Sequence, residues 1–180
     1  LNSYLNRYFK DTTHVKTWSV KDYTYLTQCL QNYSFKNIIG IHRSKEPYNM
    51  GTLLWQLNDC WPVASWSITD YYNRQPKAAW YAVKEAYRDD VKPVVDLTRP
   101  INMKLENPQI TFKVEGNKII ITANKEAKYV WIEIKDYSGR LSDNYFDLKA
   151  GEQKTISIES TITKPNVTIT SLYDVLKRTK

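Results

Sequence analysis

The hydrophobic period of this chain changes once, and that change limits its fold more than any single motif. Up to about residue 90, apolar residues recur at helical spacing; from Ile110 onward they alternate with period two. A chain of 180 residues has room for one such part on each side of the change. The expected class is α/β followed by β, with residues 1–94 as one domain, 95–109 as a linker and 110–180 as an antiparallel sandwich.

In the first part, Leu1, Tyr4, Leu5, Tyr8 and Phe9 share one helical face. Ser19 followed by Asp22 reads as an N-cap with its acidic partner. Tyr23, Leu26, Leu30, Tyr33, Asn37, Ile38 and Ile41 continue that helix, which ends near Lys45 because Pro47 disfavours helical geometry at Glu46. Trp18, just before the cap, is placed to pack onto the first turn. Pro76 opens a second helix, with Ala79, Trp80, Val83, Ala86 and Tyr87 on its buried face.

Between these helices runs Met50-Gly-Thr-Leu-Leu-Trp-Gln-Leu-Asn-Asp-Cys-Trp-Pro-Val-Ala-Ser-Trp66. A short apolar run bounded by turn residues suits a strand buried on both faces, over Met50 to Leu57, with Asn58 and Asp59 at its carboxyl end. Ligand-facing groups sit at that end of parallel strands. Three of the six Trp fall in this segment, at 55, 61 and 66. They form either an aromatic core or the floor of a binding cleft, and Asn58 and Asp59 either cap a turn or touch a ligand.

Beyond the linker, with Lys92-Pro93, Arg99-Pro100 and Asn107-Pro108, alternating segments begin at Ile110, Lys118, Tyr129, Asp143, Thr155 and Val167. Gly116-Asn117 is the hairpin turn between the first two.

Several functions are disfavoured on residue types alone. No phosphate-binding loop, dinucleotide fingerprint, nucleophile elbow or zinc-protease motif is present. The net charge is +7, but the basic residues alternate with acids, apart from Lys177-Arg178-Thr-Lys180, so nucleic acid is not an expected partner. Cys29 and Cys60 form no disulfide framework or metal spacing, and both read as buried free thiols; no metal or other cofactor is expected. No stretch is long and apolar enough for a membrane span. Leu1-Asn2-Ser3 carries no leader pattern, and the chain is expected to be a piece of a longer protein.

The Trp-Gln-Leu-Asn-Asp-Cys-Trp-Pro run, residues 55–62, closely resembles the last barrel strand and following loop of the β-mannosidases of glycoside hydrolase family 2. Tyr25 to Gln31 and Ile41-His-Arg43 resemble the preceding barrel helix, and Asp70-Tyr-Tyr, Lys77-Ala and Trp80-Tyr the final one. Asp143 to Glu152 resembles the sandwich that ends these enzymes.

The resemblance implies the last part of a (β/α)8 TIM barrel, as helix, strand and helix, followed by an immunoglobulin-like sandwich. It also implies retaining hydrolysis of terminal, non-reducing β-D-mannosyl residues by two Glu. The Asn-Glu and Ser-Glu segments that carry those Glu are absent, so no catalytic residue is expected in this segment. The implied substrate-binding residues are Trp55, then Asn58, Asp59 and Trp61. The implied partners are a β-mannoside and the N-terminal part of the same enzyme, in a secreted or periplasmic setting. Two alternatives remain: a carbohydrate-binding or scaffold module, and a β-galactosidase or β-glucuronidase relative with the same barrel.

Overall fold

A computed structural model describes every residue except Ala64, Pro93, Thr161, Thr163 and Lys180. Pro93 of the linker and Lys180 of the basic cluster therefore lie outside the described residues. Among the described residues four α-helices and six strands follow in the order α1 (Asn2–Tyr8), α2 (Val20–Arg43), α3 (Ala78–Ala86), β1 (Ile110–Glu115), β2 (Lys118–Ala123), β3 (Ala127–Ile134), β4 (Phe146–Leu148), β5 (Gln153–Ser157), β6 (Val167–Thr170) and α4 (Leu172–Arg178).

Helix α2 starts where the cap signal places it. Ser19 Oγ accepts the Asp22 backbone N–H at 3.0 Å. Its inward face carries Tyr25, Leu26, Cys29 and Leu30, whereas Ile38 is exposed. Near its end, Arg43 donates to the Ala86 and Arg88 carbonyls, both at 2.7 Å, tying α2 to the end of α3. Gly40 allows a close approach there, since a Cβ would stand 3.0 Å from both the Val94 carbonyl oxygen and Val95 Cγ2.

The strands form two antiparallel three-stranded sheets, β1-β2-β5 and β4-β3-β6. Gly116, at φ 57°, makes the turn from β1 to β2. Ile119, Ile121, Val130, Ile132, Leu148 and Ile156 fill the space between the sheets. Strand β3 is buried on both faces: Val130, Ile132 and Ile134 point into the sandwich, while Tyr129 and Trp131 meet the helices. There Leu5, Phe9, Tyr25, Leu26 and Cys29 join Leu172 and Val175 of α4 in a second core, with Trp18 packed against it.

Two expectations are corrected. The strand over Met50 to Leu57 does not form, and among the described residues no strand pairs in parallel with it. A doubly buried strand needs neighbours on both edges; here the run is open, with Leu53 fully exposed. The arrangement is therefore α+β, helices against an immunoglobulin-like sandwich. The last alternating segment, Val167-Thr-Ile-Thr-Ser-Leu by its pattern, stops as a strand at Thr170, because Ser171 and Asp174 form a capping box that starts α4.

Candidate functional site

The segment between α2 and α3 is the most exposed apolar part of the molecule. Trp55 is 74% exposed, Trp61 58% and Trp66 61%. Tyr48, Met50, Leu57 and Tyr72 are exposed as well. These side chains are not an aromatic core. The Trp55–Gln56 peptide is cis.

Asp59 behaves in the opposite way, at 2% exposure. Its Oδ2 accepts from Lys77 Nζ at 2.8 Å. Its Oδ1 accepts from Ser67 Oγ at 2.7 Å and from Ser65 Oγ. Lys77 Nζ also reaches Ser67 Oγ at 2.7 Å and the Ser65 carbonyl at 3.3 Å. Burial alone would raise the Asp59 carboxyl pKa, but the Lys77 ammonium and the two hydroxyls outweigh it and hold the group below its ordinary value.

Backbone bonds complete the frame. Ile68 N donates to the Gln56 carbonyl at 3.1 Å, Thr69 N to Leu57 at 2.9 Å, and Lys77 N to Ile68 at 2.9 Å. Asn58 Nδ2 donates to the neighbouring Asp59 carbonyl at 3.0 Å. From α2, Gln31 Nε2 donates to the Trp66 carbonyl at 2.8 Å, and His42 Nδ1 lies 2.8 Å from Thr52 Oγ1.

The four residues singled out in the sequence thus divide. Trp55 and Trp61 are open surfaces, Asn58 bonds its own neighbour's backbone, and Asp59 is a buried carboxylate paired with Lys77. Ser65, Ser67 and Lys77 were not singled out for function; their signal was a hydroxyl on each side of Trp66 and a lysine just before the helix. Cys60 is exposed rather than buried, since it lies in the open connection that follows Asp59, whereas Cys29 is buried on the inward face of α2. Among the described residues no three His, Cys, Asp or Glu side chains are grouped to hold a metal, and no helix is long and apolar enough to cross a membrane.

Residues 105–175 match the Ig_mannosidase model, an Ig-fold domain. The chain is 31% identical over 150 residues to β-mannosidase B of Emericella nidulans, covering 82% of this chain and 16% of that protein. It is 43% identical over 84 residues to β-mannosidase B of Aspergillus niger, covering 45% of this chain and 9% of that one. A solved β-D-mannosidase from Dictyoglomus thermophilum has the same fold over 94% of this chain and 31% of its own, with a TM-score of 0.71 at 19% identity. The chain thus spans 16% or less of the length of these two curated relatives. On these matches the chain is similar to a C-terminal segment of the β-mannosidases, and residues 105–175 are an Ig-fold domain of the mannosidase type.

Proposed function

We propose that this chain forms the C-terminal part of a retaining glycoside hydrolase that releases terminal, non-reducing β-D-mannose. Residues 1–94 close a (β/α)8 barrel, 95–109 link it onward, and 110–180 are the sandwich. The observation that carries the reading is the segment from Trp55 to Trp66. Its three indoles are more than half exposed, yet its backbone is fixed from beneath by the buried Asp59–Lys77 pair. Exposed apolar surface on a fixed frame marks an interaction site.

In the complete enzyme the run at 50–57 takes its strand neighbours from the rest of the barrel. Trp55 then presents a flat face to the C–H patch of a sugar ring, with Trp61 and Asn58 beside it in the wall. Asp59 supports this wall from behind. The two carboxylates that retaining hydrolysis requires, about 5 Å apart, come from the other part of the enzyme.

Hydrolysis of aryl β-mannoside, β-galactoside and β-glucuronide, by a chain that joins this segment to the remainder of such an enzyme, tests the reading. Preference for the mannoside is expected, with loss on Trp55→Ala and no turnover by residues 1–180 alone. Preference for either other sugar, or turnover by residues 1–180 that depends on Asp59, overturns it.

A further inference from the structure

A cleft among the described residues lies away from Trp55. It runs between α2 and α3 on one side and the sandwich on the other, with a volume of about 610 Å³. That size falls within the range of small-molecule sites, which favour junctions of this kind.

The sandwich wall carries two partly exposed ion pairs. Asp143 lies 2.7 Å from Lys154, and Asp147 lies 3.1 Å from Lys128. The pairs flank the turn into β4. Asp143 Oδ1 also accepts the Asn144 N–H at 2.8 Å, and Asp147 Oδ1 the Tyr129 N–H at 3.0 Å. Lys128 also pairs with Glu126 at 2.8 Å; since a carboxylate has about four acceptor positions and an ammonium three donors, each pair still keeps acceptor and donor capacity side by side. The opposite wall carries Tyr33 of α2, half-buried and held against Tyr8 at a ring separation of 5.5 Å.

This lining selects a class of ligand. Both signs of charge line the cleft, with Lys36, Lys84, Arg88, Glu85 and Asp96 facing the two ion pairs of the sandwich, so neither an anion nor a cation gains from the whole of it. An apolar ligand leaves both pairs uncompensated. A vicinal diol suits it, because each hydroxyl donates and accepts at once and adjacent hydroxyls can engage the ammonium and the carboxylate of one pair. The Tyr33 ring offers the flat surface that the C–H face of a sugar requires.

The geometry points to a second, non-catalytic saccharide-binding cleft between the helices and the sandwich, taking a neutral oligosaccharide. It is separate from the Trp55 wall and rests on the glycosidase reading only for the choice of mannose as the first sugar tested. The sandwich is then a working part of the protein and not a spacer.

Calorimetric titration of residues 1–180 with a linear mannotriose, and with inorganic phosphate as the anionic control, tests this. Saturable mannotriose binding is expected. Both Tyr33→Leu and the double variant Asp143→Asn with Lys154→Gln should weaken it at least about tenfold, with melting retained as the check on folding. Amide shifts in the unsubstituted protein, read by NMR, should fall at residues 33–37 and 143–147. No saturable binding, preference for phosphate, or shifts confined to residues 55–72 overturns the proposal. Failure of mannoside hydrolysis in the joined enzyme would sink the glycosidase reading and leave this titration standing.

Discussion

Lys77 holds its ammonium 2.8 Å from Asp59 Oδ2, with the carboxylate buried and the lysine largely so, and α3 begins one residue later. The pair therefore pins the aromatic segment against the start of a helix. Taking two charges out of water is costly, and Coulomb attraction repays it only when the remaining hydrogen-bonding positions are filled. Ser65 and Ser67 fill them on the carboxylate.

Removing one partner should then cost more than the pair contributes. Asp59→Ala leaves a buried ammonium and two hydroxyls without their acceptor, and we expect a loss of about 3–5 kcal/mol. Asp59→Asn keeps an acceptor and should cost less. Urea unfolding of the two variants measures both; an Asp59→Ala protein as stable as the parent would show that the pair holds nothing in place.

The same pair sets an acid limit. The Asp59 carboxyl is held below 3.8 in the folded chain. A depressed carboxyl contributes stability that is present above the unfolded value and is lost as pH falls through the folded one. The stability gap between the parent and Asp59→Asn should therefore be constant near neutrality and narrow only below pH 3.8. Unfolding curves taken across that range report it, and a gap that closes near neutral pH would assign the effect to another group.

Trp55 should behave in the reverse manner. Its ring is exposed, so Trp55→Ala should change stability by less than about 0.5 kcal/mol. In the joined enzyme it should lower kcat/KM for an aryl β-mannoside by roughly thirtyfold, the equivalent of about 2 kcal/mol for an aromatic anchor. Unfolding and kinetics of one preparation separate the two, and unchanged kinetics would remove Trp55 from the sugar wall.

How much of this was legible follows from where the determinants lie. Helix α2 was, because Ser19 and Asp22 are adjacent in sequence and its apolar residues share one face. The sandwich was, because alternation and Gly116 are local signals. The run from Leu53 to Leu57 was misread because apolarity reports what a segment needs and not whether neighbours are there to meet it. Helix α4 was overlooked although Ser171 and Asp174 carry a capping-box spacing. The contact of Tyr129 and Trp131 with the helices was not legible, since one strand's alternation does not reveal that its second face is covered. At the site, Trp55 was legible as unusual. The partners of Asp59 were not, because Lys77 lies eighteen residues away and only the folded turn brings it back.

Leu172→Ala tests whether the second core joins the two parts. Leu172 is fully buried in one cluster with Leu5 of α1, Tyr25 of α2 and Tyr129 of β3. Truncating it should cost about 2–5 kcal/mol and lower the melting of both parts together. Near-ultraviolet and far-ultraviolet circular dichroism should trace one transition in the parent and the variant. Two transitions, with only one moved, would mean that the helices and the sandwich melt independently.

Tyr25 supplies the last test, at the other end of the pH scale. Its hydroxyl donates to the Tyr129 carbonyl at 2.6 Å inside that core, and burial pushes its pKa well above 10. A raised phenol contributes stability that is complete below the unfolded value and is lost as pH rises from there through the folded value. Tyr129 and Tyr145 are shifted the same way by burial. Part of the phenolate absorbance should therefore appear only with alkaline unfolding, as a late, cooperative step. Tyr25→Phe leaves the Tyr129 carbonyl without its donor and should cost about 1–3 kcal/mol at neutral pH, while reducing the late step. A smooth titration of all 14 tyrosines while the chain stays folded would show that this core admits water.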